Sequence, residues 1–378
     1  MIYIIIFILS LFFIWCGEKF KTKNKLISYI FTIIALLIPC LVAALRATTI
    51  GTDTDVYVIR LFNTALKDEI GFLHFYTHPY SNVKEPLYLF ITYFASRLSN
   101  DVGLLFFFNE ALVIVPIYIA LLKKSKNTNQ LLLGMLIFYL FFFNMSLNIA
   151  RQSIALAFCV LAFTYLDEKK TSRFLIFSII SFLFHRTAAI IVVPFIIYKI
   201  IENEKISENT KFKVKFCLFI LTLIGVLFFK QILNIFINIG LFSDYFSTIL
   251  TKYVRNPIDF NQFNTIFYTC VYVLIYFNLD RLKDKISNYR YYKFIAIWGI
   301  ALIQIGGIVQ FSDRIAHYFI YPMLFTTLPK LAPENIFIYK TRKELISFIF
   351  VNILFAIYWT FWIIIQNVHE TNPFILRK

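Results

Sequence analysis

Long apolar runs, separated by short charged segments, follow one another along almost the whole chain. Several reach the roughly 20 residues that an α-helix needs to cross a bilayer. The thirteen runs cover residues 1–16, 26–45, 86–98, 102–122, 131–146, 150–166, 174–184, 187–201, 213–238, 265–279, 294–311, 314–331 and 345–366. This pattern predicts an all-α polytopic membrane protein with a single integral membrane domain, residues 1–378.

The lysines and arginines are concentrated in the links between the runs, and this distribution sets the orientation of the chain. Short cytoplasmic loops of membrane proteins are enriched in Lys and Arg. The strongly basic links are residues 18–25, 123–126, 167–173, 199–215, 280–293 and 339–344. We therefore place all of these links on the cytoplasmic side.

Thirteen full crossings cannot put every basic link on one side, so one run must not cross. Run 86–98 is the best candidate, because its 13 residues reach only about 20 Å across a core of about 30 Å. Its apolar residues Leu87, Phe90, Ile91 and Phe94 also have the spacing of a surface helix. We predict a helix that lies at or dips into the outer face, twelve crossings, and both termini outside.

This topology makes residues 46–101 one large outer loop, with interfacial helices, and residues 239–264 a second outer loop. The first loop begins with RATTIGTDTDVYVIRLF. Gly51 permits a sharp turn there, and Thr52 with Asp55 resembles a capping box that starts an amphipathic or re-entrant helix. The predicted polar face carries Asp53, Tyr57 and Arg60, and the apolar face carries Val58, Leu61, Phe62 and Ala65.

Composition supports the membrane assignment and removes other classes of function. The chain is 60% hydrophobic and 15% charged, which is more apolar than a soluble domain of 378 residues can hide. A net charge of +16 would suggest nucleic acid in a soluble protein, but here the basic residues form the cytoplasmic links, so we expect no nucleic-acid partner. The five cysteines have no CxxC spacing, so we expect neither disulfide nor metal from them.

Three pairs of apolar runs are flanked by basic links and therefore form hairpins whose tips point outward. The tips carry Arg151 in hairpin 131–166, Arg186 in hairpin 174–201 and Arg314 in hairpin 294–331, and Arg46 ends run 26–45 on the same side. An arginine in an apolar stretch costs at least about 2.5 kcal/mol on insertion and is a functional hypothesis by default. Since guanidinium groups match phosphate oxygens, we expect a cationic pocket for the anionic headgroup of a membrane lipid, with its acyl or prenyl chain between helices.

Each of these residues also has a structural interpretation that the sequence leaves open. Arg46 can be an interfacial residue that snorkels, and Asp53 and Asp55 can simply favour the positive end of a helix. Arg151 can be one half of a structural ion pair. Likewise Glu85 can be a helix-entry residue, His185 and Arg186 exposed hairpin-tip residues, His317 a structural histidine, and Arg314 a local partner of Asp313.

An ordered set of short motifs resembles one known family. The motifs are R-x4-GTDT-x2-Y-x4-F from residue 46, EPLY at 85–88, N-x2-RQ-x-IA at 148–155, HRTA at 185–188 and DRIAHYF at 313–319. Their order resembles the EpsG family of bacterial exopolysaccharide and capsule proteins, which are Wzy-like polymerases of polyprenyl-linked repeat units. The resemblance covers residues 26–331, and it rests on the ordered set rather than on any single motif.

The resemblance implies a polymerase in the bacterial cytoplasmic membrane that joins polyprenyl-diphosphate-linked oligosaccharide units on the outer face. A hydroxyl of one unit attacks the anomeric carbon of another, and the polyprenyl diphosphate leaves. Asp53 is then the candidate base, with His185 as an alternative, and arginines would hold the leaving diphosphate. The expected catalytic residues are Asp53, Arg151, His185 and Arg314, and the expected substrate contacts are Arg46, Asp55, Tyr57, Glu85, Asn148, Gln152, Arg186, Asp313 and His317.

Other functions are compatible with parts of the pattern. An early outer loop with an acid is also similar to GT-C-type glycosyltransferases, which would add one sugar from a polyprenyl-phosphate donor. A lipid-linked oligosaccharide flippase is less favoured, because the chain shows no duplication into related halves. A non-catalytic scaffold would leave the outward arginines without a purpose. We expect no cofactor, although Asp53 and Asp55 leave a divalent metal open, and we expect membrane lipid and other polysaccharide-assembly proteins as partners.

Overall fold

A computed structural model describes residues 2–78, 83–238, 262–286, 288–304, 313–334 and 341–377. Within these ranges every regular element is a helix, which confirms the all-α prediction. Most of the predicted second outer loop, residues 239–264, lies outside the described residues. The helices separate into two compact units, a first unit of Met1–Ala189 with Leu328–Lys378 and a second unit of Ile190–Thr327. The single integral membrane domain stays a prediction.

The α-helices of the described residues are numbered here in chain order. In chain order they are α1 (Ile2–Phe20), α2 (Lys25–Leu45), α3 (Ile59–Lys67), α4 (Phe72–Thr77), α5 (Pro86–Leu98), α6 (Gly103–Lys124), α7 (Thr128–Ile137), α8 (Phe143–Asn148), α9 (Ala150–Asp167), α10 (Thr171–Phe184), α11 (Val192–Ile201), α12 (Glu208–Asn238), α13 (Gln262–Leu279), α14 (Tyr289–Ile303), α15 (Asp313–Thr327) and α16 (Arg342–Tyr358). Segments with π-helical hydrogen bonding at Thr54–Val58, Phe138–Phe142 and Trp359–Ile365 continue into or out of neighbouring helices.

Five helical segments in the described part of the chain are long and apolar enough to cross a membrane. They are Ile2–Phe20, Lys25–Leu45, Gly103–Lys124, Thr128–Asn148 and Arg342–Ile365. The chain is therefore that of a membrane protein, and the count of twelve crossings and the likeness to GT-C transferases stay predictions.

Two basic links of the first unit meet. Lys123 pairs with Glu168, and Lys124 pairs with Asp167, both at 2.8 Å, so the links 123–126 and 167–173 lie together, as expected if both are on one side of the membrane. The start of α1 and the C-terminal residues meet elsewhere, because Tyr3 donates a 2.6 Å hydrogen bond to the Thr371 carbonyl. The start of α1 and the residues after α16 are therefore neighbours, and the position of both termini outside stays a prediction.

Helix α5 turns its polar side inward and its apolar side outward. Tyr88 and Thr92 are fully buried in the first unit, whereas Phe90 and Phe94 are 46% and 42% exposed. This arrangement is the reverse of a soluble amphipathic helix, and it suits a helix whose outer surroundings are lipid. The predicted helix at 86–98 is confirmed in its bounds, and the apolar stripe is the exposed one.

The C-terminus of α3 is held by Arg97 of α5. Its guanidinium donates to the carbonyls of Ala65, Leu66 and Asp68, the last at 3.0 Å. A cation at a helix C-terminus neutralises the partial negative charge of the last carbonyls. Arg97 thereby ties the two outer-loop helices together.

The turn after α3 depends on the Asp68 carboxylate, which gives a pH-dependent prediction. It accepts from the backbone N–H groups of Ile70 and Gly71, each at 3.1 Å, and lies 2.7 Å from His74 Nδ1. The bond from Gly71 is the main reason that the pKa of Asp68 lies below its usual range. The lowered folded-state pKa stabilises the turn above the ordinary value of about 3.9, and this contribution is lost as the pH falls through the folded pKa.

We therefore expect the Ile70 and Gly71 amides to stay protected from hydrogen exchange at neutral pH and to lose protection only below about pH 4. Asp68→Asn should make the protection insensitive to pH in that range. The measurement is hydrogen exchange at several pH values, corrected for intrinsic rates. Loss of protection already near pH 6 would contradict the assignment, because Asp68 is ionised there.

The second unit contains α11 to α15, and within it α14 packs against α13 and α15. Tyr268 of α13 lies 2.9 Å from His317 Nε2 of α15, and Trp298 Nε1 donates to Thr222 Oγ1 at 2.7 Å. These two pairs join polar side chains of different helices in this unit.

Candidate functional site

Arg46 fastens the beginning of the outer loop to the junction between α8 and α9. Its Nη1 donates to the Leu147 carbonyl at 2.5 Å, and its Nη2 donates to Thr54 Oγ1 at 3.3 Å. The guanidinium also lies 4.3 Å from the centre of the Phe106 ring, and the side chain is only 2% exposed. These contacts favour a structural role for Arg46, because two of its nitrogens are already used by protein oxygens.

The sharp turn predicted at Gly51 is present. Gly51 has φ +86°, which favours glycine, and a Cβ there would lie 3.1 Å from Asn148 Cα and from the Leu147 carbonyl oxygen. The outer loop and the α8–α9 junction therefore touch through their backbones at this point.

The predicted capping box of Thr52 and Asp55 is wrong. Asp55 is exposed, and the segment Thr54–Val58 is π-helical, with no side-chain cap from its own N-cap residue Asp53. The Asp53 N–H donates instead to Asn148 Oδ1 at 3.0 Å. A residue from another helix supplies the cap, since the close approach at Gly51 brings Asn148 to this backbone donor.

Four side chains from three segments form the charged core of the site. Tyr57 lies beside Asp53 and Arg151, and the Arg151 guanidinium lies 4.2 Å from the centre of the Tyr57 ring. Arg151 Nη1 pairs with Glu85 Oε2 at 3.0 Å. We call Asp53, Tyr57, Glu85 and Arg151 the charged cluster. It brings together residues that the sequence separates by up to 98 positions.

The charged cluster contains one cation whose hydrogen-bonding capacity is not fully used. The Arg151 side chain is 21% exposed and that of Glu85 is 8% exposed. Arg151 Nε is buried and has no hydrogen-bond partner among the described residues. Burial is the main cause that raises the pKa of Tyr57 to about 12, so this hydroxyl stays protonated at neutral pH and is suited to donate to Asp53.

His185 lies at the level of the charged cluster. Helices α9 and α10 form an antiparallel hairpin in which Ser181 Oγ donates to the Ala155 carbonyl at 2.6 Å. His185 lies four residues after Ser181, and Arg151 lies four residues before Ala155. Because the two helices are antiparallel, both steps go in the same direction by about one helical turn. His185 Nδ1 lies 2.6 Å from Thr187 Oγ1, a contact within the segment that follows α10.

The other predicted site residues fall into two groups. In the first unit Gln152 is buried, and Arg186, which follows the C-terminus of α10, is exposed. Asp313, Arg314 and His317 belong to the second unit, where His317 contacts Tyr268 and Tyr321. Participation of Asp313, Arg314 and His317 in the same pocket stays a prediction.

A buried carboxylate, Glu110 of α6, was missed by the sequence predictions. It is 2% exposed, and its Oε2 accepts a 2.8 Å hydrogen bond from Ser146 of α8. This bond links α6 to the segment that carries Asn148. An acid inside an apolar run was the signal available, since such a residue is rarely there without a role.

The C-terminal residues 366–377 were also missed, and they hold the outer loop at its beginning. Ala47 N–H donates to the Ile375 carbonyl at 2.7 Å, Gly51 N–H donates to the Glu370 carbonyl at 3.1 Å, and Arg377 N–H donates to the Leu45 carbonyl at 2.8 Å. We call residues 366–377 the C-terminal strap. Ordinary polar and apolar residues make it up, so its sequence carries no signal for this contact.

Removing the strap should destabilise the first unit. A chain that ends at Gln366 loses three backbone hydrogen bonds, two to the outer loop and one to the last residue of α2, each worth about 0.5–1.5 kcal/mol. We expect a clearly lower midpoint of thermal unfolding in detergent. Arg377→Ala is the matched control: it removes only a partly exposed pair with Asp101, worth about 0–1 kcal/mol. Equal midpoints for the truncated and intact chains would contradict this role.

The chemistry of the charged cluster follows from its side chains. A carboxylate, a phenol and a guanidinium in contact can accept a proton and bind an anion next to it. The described residues contain no group of three or more His, Cys, Asp or Glu side chains placed to hold a metal ion.

Comparison with known proteins identifies the family. The model of the EpsG family matches residues 29–376, which is nearly the whole chain. The chain belongs to the EpsG family. The EpsG match extends beyond the predicted limit of residue 331 and includes almost all of the C-terminal strap. The comparisons with curated proteins and with solved structures gave no match. EpsG proteins are associated with polysaccharide polymerisation, so this protein is a membrane protein related to exopolysaccharide biosynthesis.

Proposed function

We propose that this EpsG protein is a polymerase that joins polyprenyl-diphosphate-linked oligosaccharide units on the outer face of the bacterial cytoplasmic membrane. Two lines of support converge on this proposal. The family is associated with polysaccharide polymerisation. The charged cluster also lies at the end of the first unit away from its basic links, which the positive-inside rule assigns to the cytoplasm.

The observation that carries the proposal is the contact of Asp53 and Arg151 with the same Tyr57 side chain. Polymerisation needs a base for the acceptor hydroxyl and a cation for the leaving diphosphate, and both must reach the same anomeric carbon region. Asp53 and Arg151 meet this requirement through one shared aromatic residue.

In the proposed reaction, Asp53 takes the proton from the acceptor hydroxyl as its oxygen bonds to the anomeric carbon of the donor unit. The bond between that carbon and the diphosphate oxygen breaks, and the electron pair leaves with the polyprenyl diphosphate. Arg151 stabilises the negative charge that grows on this leaving group, a role in which Arg binds two oxygens at once. Tyr57 contacts both the Asp53 carboxylate and the Arg151 guanidinium and keeps them close to each other.

We propose that Glu85 also has a role in the substrate-free protein, besides the predicted substrate contact. In the substrate-free protein it compensates the charge of Arg151, which keeps a guanidinium in a mostly buried position. We propose that the diphosphate competes with Glu85 for Arg151 when the donor binds. His185, at the same level, is the second candidate for hydrogen bonding to the diphosphate, with Arg186 beside it.

Product analysis in cells tests the proposal and separates it from its alternatives. A strain that lacks this gene and carries it on a plasmid should make a ladder of chain lengths on a gel. Without the protein, single lipid-linked units should accumulate on the outer face. Units trapped on the inner face would indicate a flippase, and units that lack a single sugar would indicate a GT-C-type transferase. Either of these two results would overturn the polymerase proposal.

A further inference from the structure

Helix α9 is buried along its whole length except for one stripe. The residues of α9 that are not buried are Arg151, Phe158 and Tyr165. They are spaced seven residues apart, so they lie on one face of the helix. The stripe begins at the guanidinium of the charged cluster and extends about 21 Å along the helix, against about 30 Å for the hydrocarbon core.

An apolar groove of about 420 Å³ lies along this stripe. The groove is lined by Phe158 and Tyr165 of α9, by residues of α6 such as Ala111 and Ile119, and by Ile91 of α5. Except for the tyrosine hydroxyl, these side chains carry only carbon and hydrogen atoms. Val115 and Ile119 on the α6 side are 38% and 37% exposed, so the groove is open toward the surroundings of the helices.

The two helices that form the Glu85–Arg151 pair also form the groove. Ile91 follows Glu85 by six residues on α5, and Phe158 follows Arg151 by seven residues on α9. The groove therefore begins within about two helical turns of the cation. Its other end is marked by Tyr165, whose ring stacks on Phe177 at 5.2 Å and receives the Lys123 ammonium at 4.5 Å. A molecule that filled the groove and reached Arg151 would have an anionic head and a long apolar tail.

We propose that this groove binds the polyprenyl chain of the lipid-linked donor while Arg151 holds its diphosphate. The inference rests on the proposed function, which makes a polyprenyl diphosphate the molecule bound at Arg151. Acyl chains of bulk phospholipid are as apolar as the groove, so the chain gains little from leaving the lipid. The selectivity of the groove for the donor comes from the headgroup, and the groove sets the path that the tail follows.

Photo-cross-linking in nanodiscs tests where the tail lies. The probe is a sugar-free polyprenyl diphosphate at about 1 mol% in phosphatidylglycerol. Benzoylphenylalanine replaces either Ile119 in the groove or Leu175 on α10, which is 46% exposed and does not line the groove. Both labelled proteins must elute as the unlabelled protein does on size-exclusion chromatography and match its midpoint of thermal unfolding, which shows that they are folded. Mass spectrometry then gives the share of polyprenyl diphosphate among the cross-linked lipids.

We expect that share at position 119 to exceed the mole fraction of the probe at least tenfold, and at position 175 to stay within about twofold of it. Arg151→Ala should reduce the share at position 119 to the level at position 175. Capture at position 119 in proportion to the mole fraction would mean that bulk lipid fills the groove, and this overturns the proposal. Enrichment that survives Arg151→Ala would overturn the link between the groove and the charged cluster.

The cross-linking result does not depend on turnover, so it can fail separately from the proposed function. A protein that makes polymer but shows no enrichment at position 119 would overturn the groove alone. Enrichment in a protein that makes no polymer and leaves no lipid-linked units outside would overturn the polymerase and keep the lipid site.

Discussion

The Asp53→Asn protein is expected to lose the polysaccharide ladder while single lipid-linked units accumulate on the outer face. An amide is nearly the same size as the carboxylate and can keep its place beside Tyr57, but it cannot accept the proton of the acceptor hydroxyl. Loss of a general base typically lowers the rate about 10²–10⁴-fold. The measurement is chain length on a gel at matched protein levels, with the initial rate of polymer formation in isolated membranes.

Glu69→Gln is the matched control for this experiment. It removes a carboxylate from the same outer loop at an exposed position, and we expect a ladder close to that of the wild type. His185→Gln tests the alternative base. A wild-type ladder from Asp53→Asn, with loss of the ladder in His185→Gln, would reject Asp53 as the base and assign the role to the histidine at the same level.

The second large effect is expected from the Glu85–Arg151 pair. Arg151→Gln leaves the Glu85 carboxylate buried without its partner, and breaking a buried pair costs about 3–5 kcal/mol. We expect a marked decrease in the midpoint of thermal unfolding in detergent and no polymer. Glu85→Gln alone should decrease the midpoint as well, because it leaves the guanidinium uncompensated.

The double variant Glu85→Gln/Arg151→Gln separates stability from function. Two neutral amides can hydrogen-bond to each other, so the midpoint should recover most of its wild-type value. The polymer should still be absent, because no cation remains at this position to bind the leaving diphosphate. A double variant that is stable and makes a normal ladder would show that the pair is structural only, and the diphosphate role would be withdrawn.

Much of the local organisation of the outer loop follows from helical periodicity. The contact between Asp53 and Tyr57 was predictable from a spacing of four residues on one helical face, and Val58, Leu61, Phe62 and Ala65 are buried as their spacing predicts. The turn at Gly51 was predictable from the residue type. The cap of this helix was not, because Asn148 lies 95 residues away from the N–H that it accepts.

The partners of the charged residues were beyond the reach of sequence patterns. Arg46 and Arg151 look alike in the sequence, since each lies at the end of an apolar run. In the structure Arg46 is 2% exposed and donates to Leu147 and Thr54, whereas the Arg151 side chain is 21% exposed and pairs with Glu85. Only the packing of helices that are distant in sequence decides which cation is available to a ligand.

The membrane class, the all-α architecture, the meeting of two basic links and the family of this protein could all be predicted from the amino-acid sequence. These properties depend on composition, on local periodicity and on an ordered set of motifs, all of which are carried by neighbouring residues. The Glu85–Arg151 pair, the strap that holds Ala47 and Gly51, and the stripe of α9 that leads into the groove became visible only in the folded chain. Each of these is a contact between segments far apart in the chain, and its geometry depends on how whole helices pack.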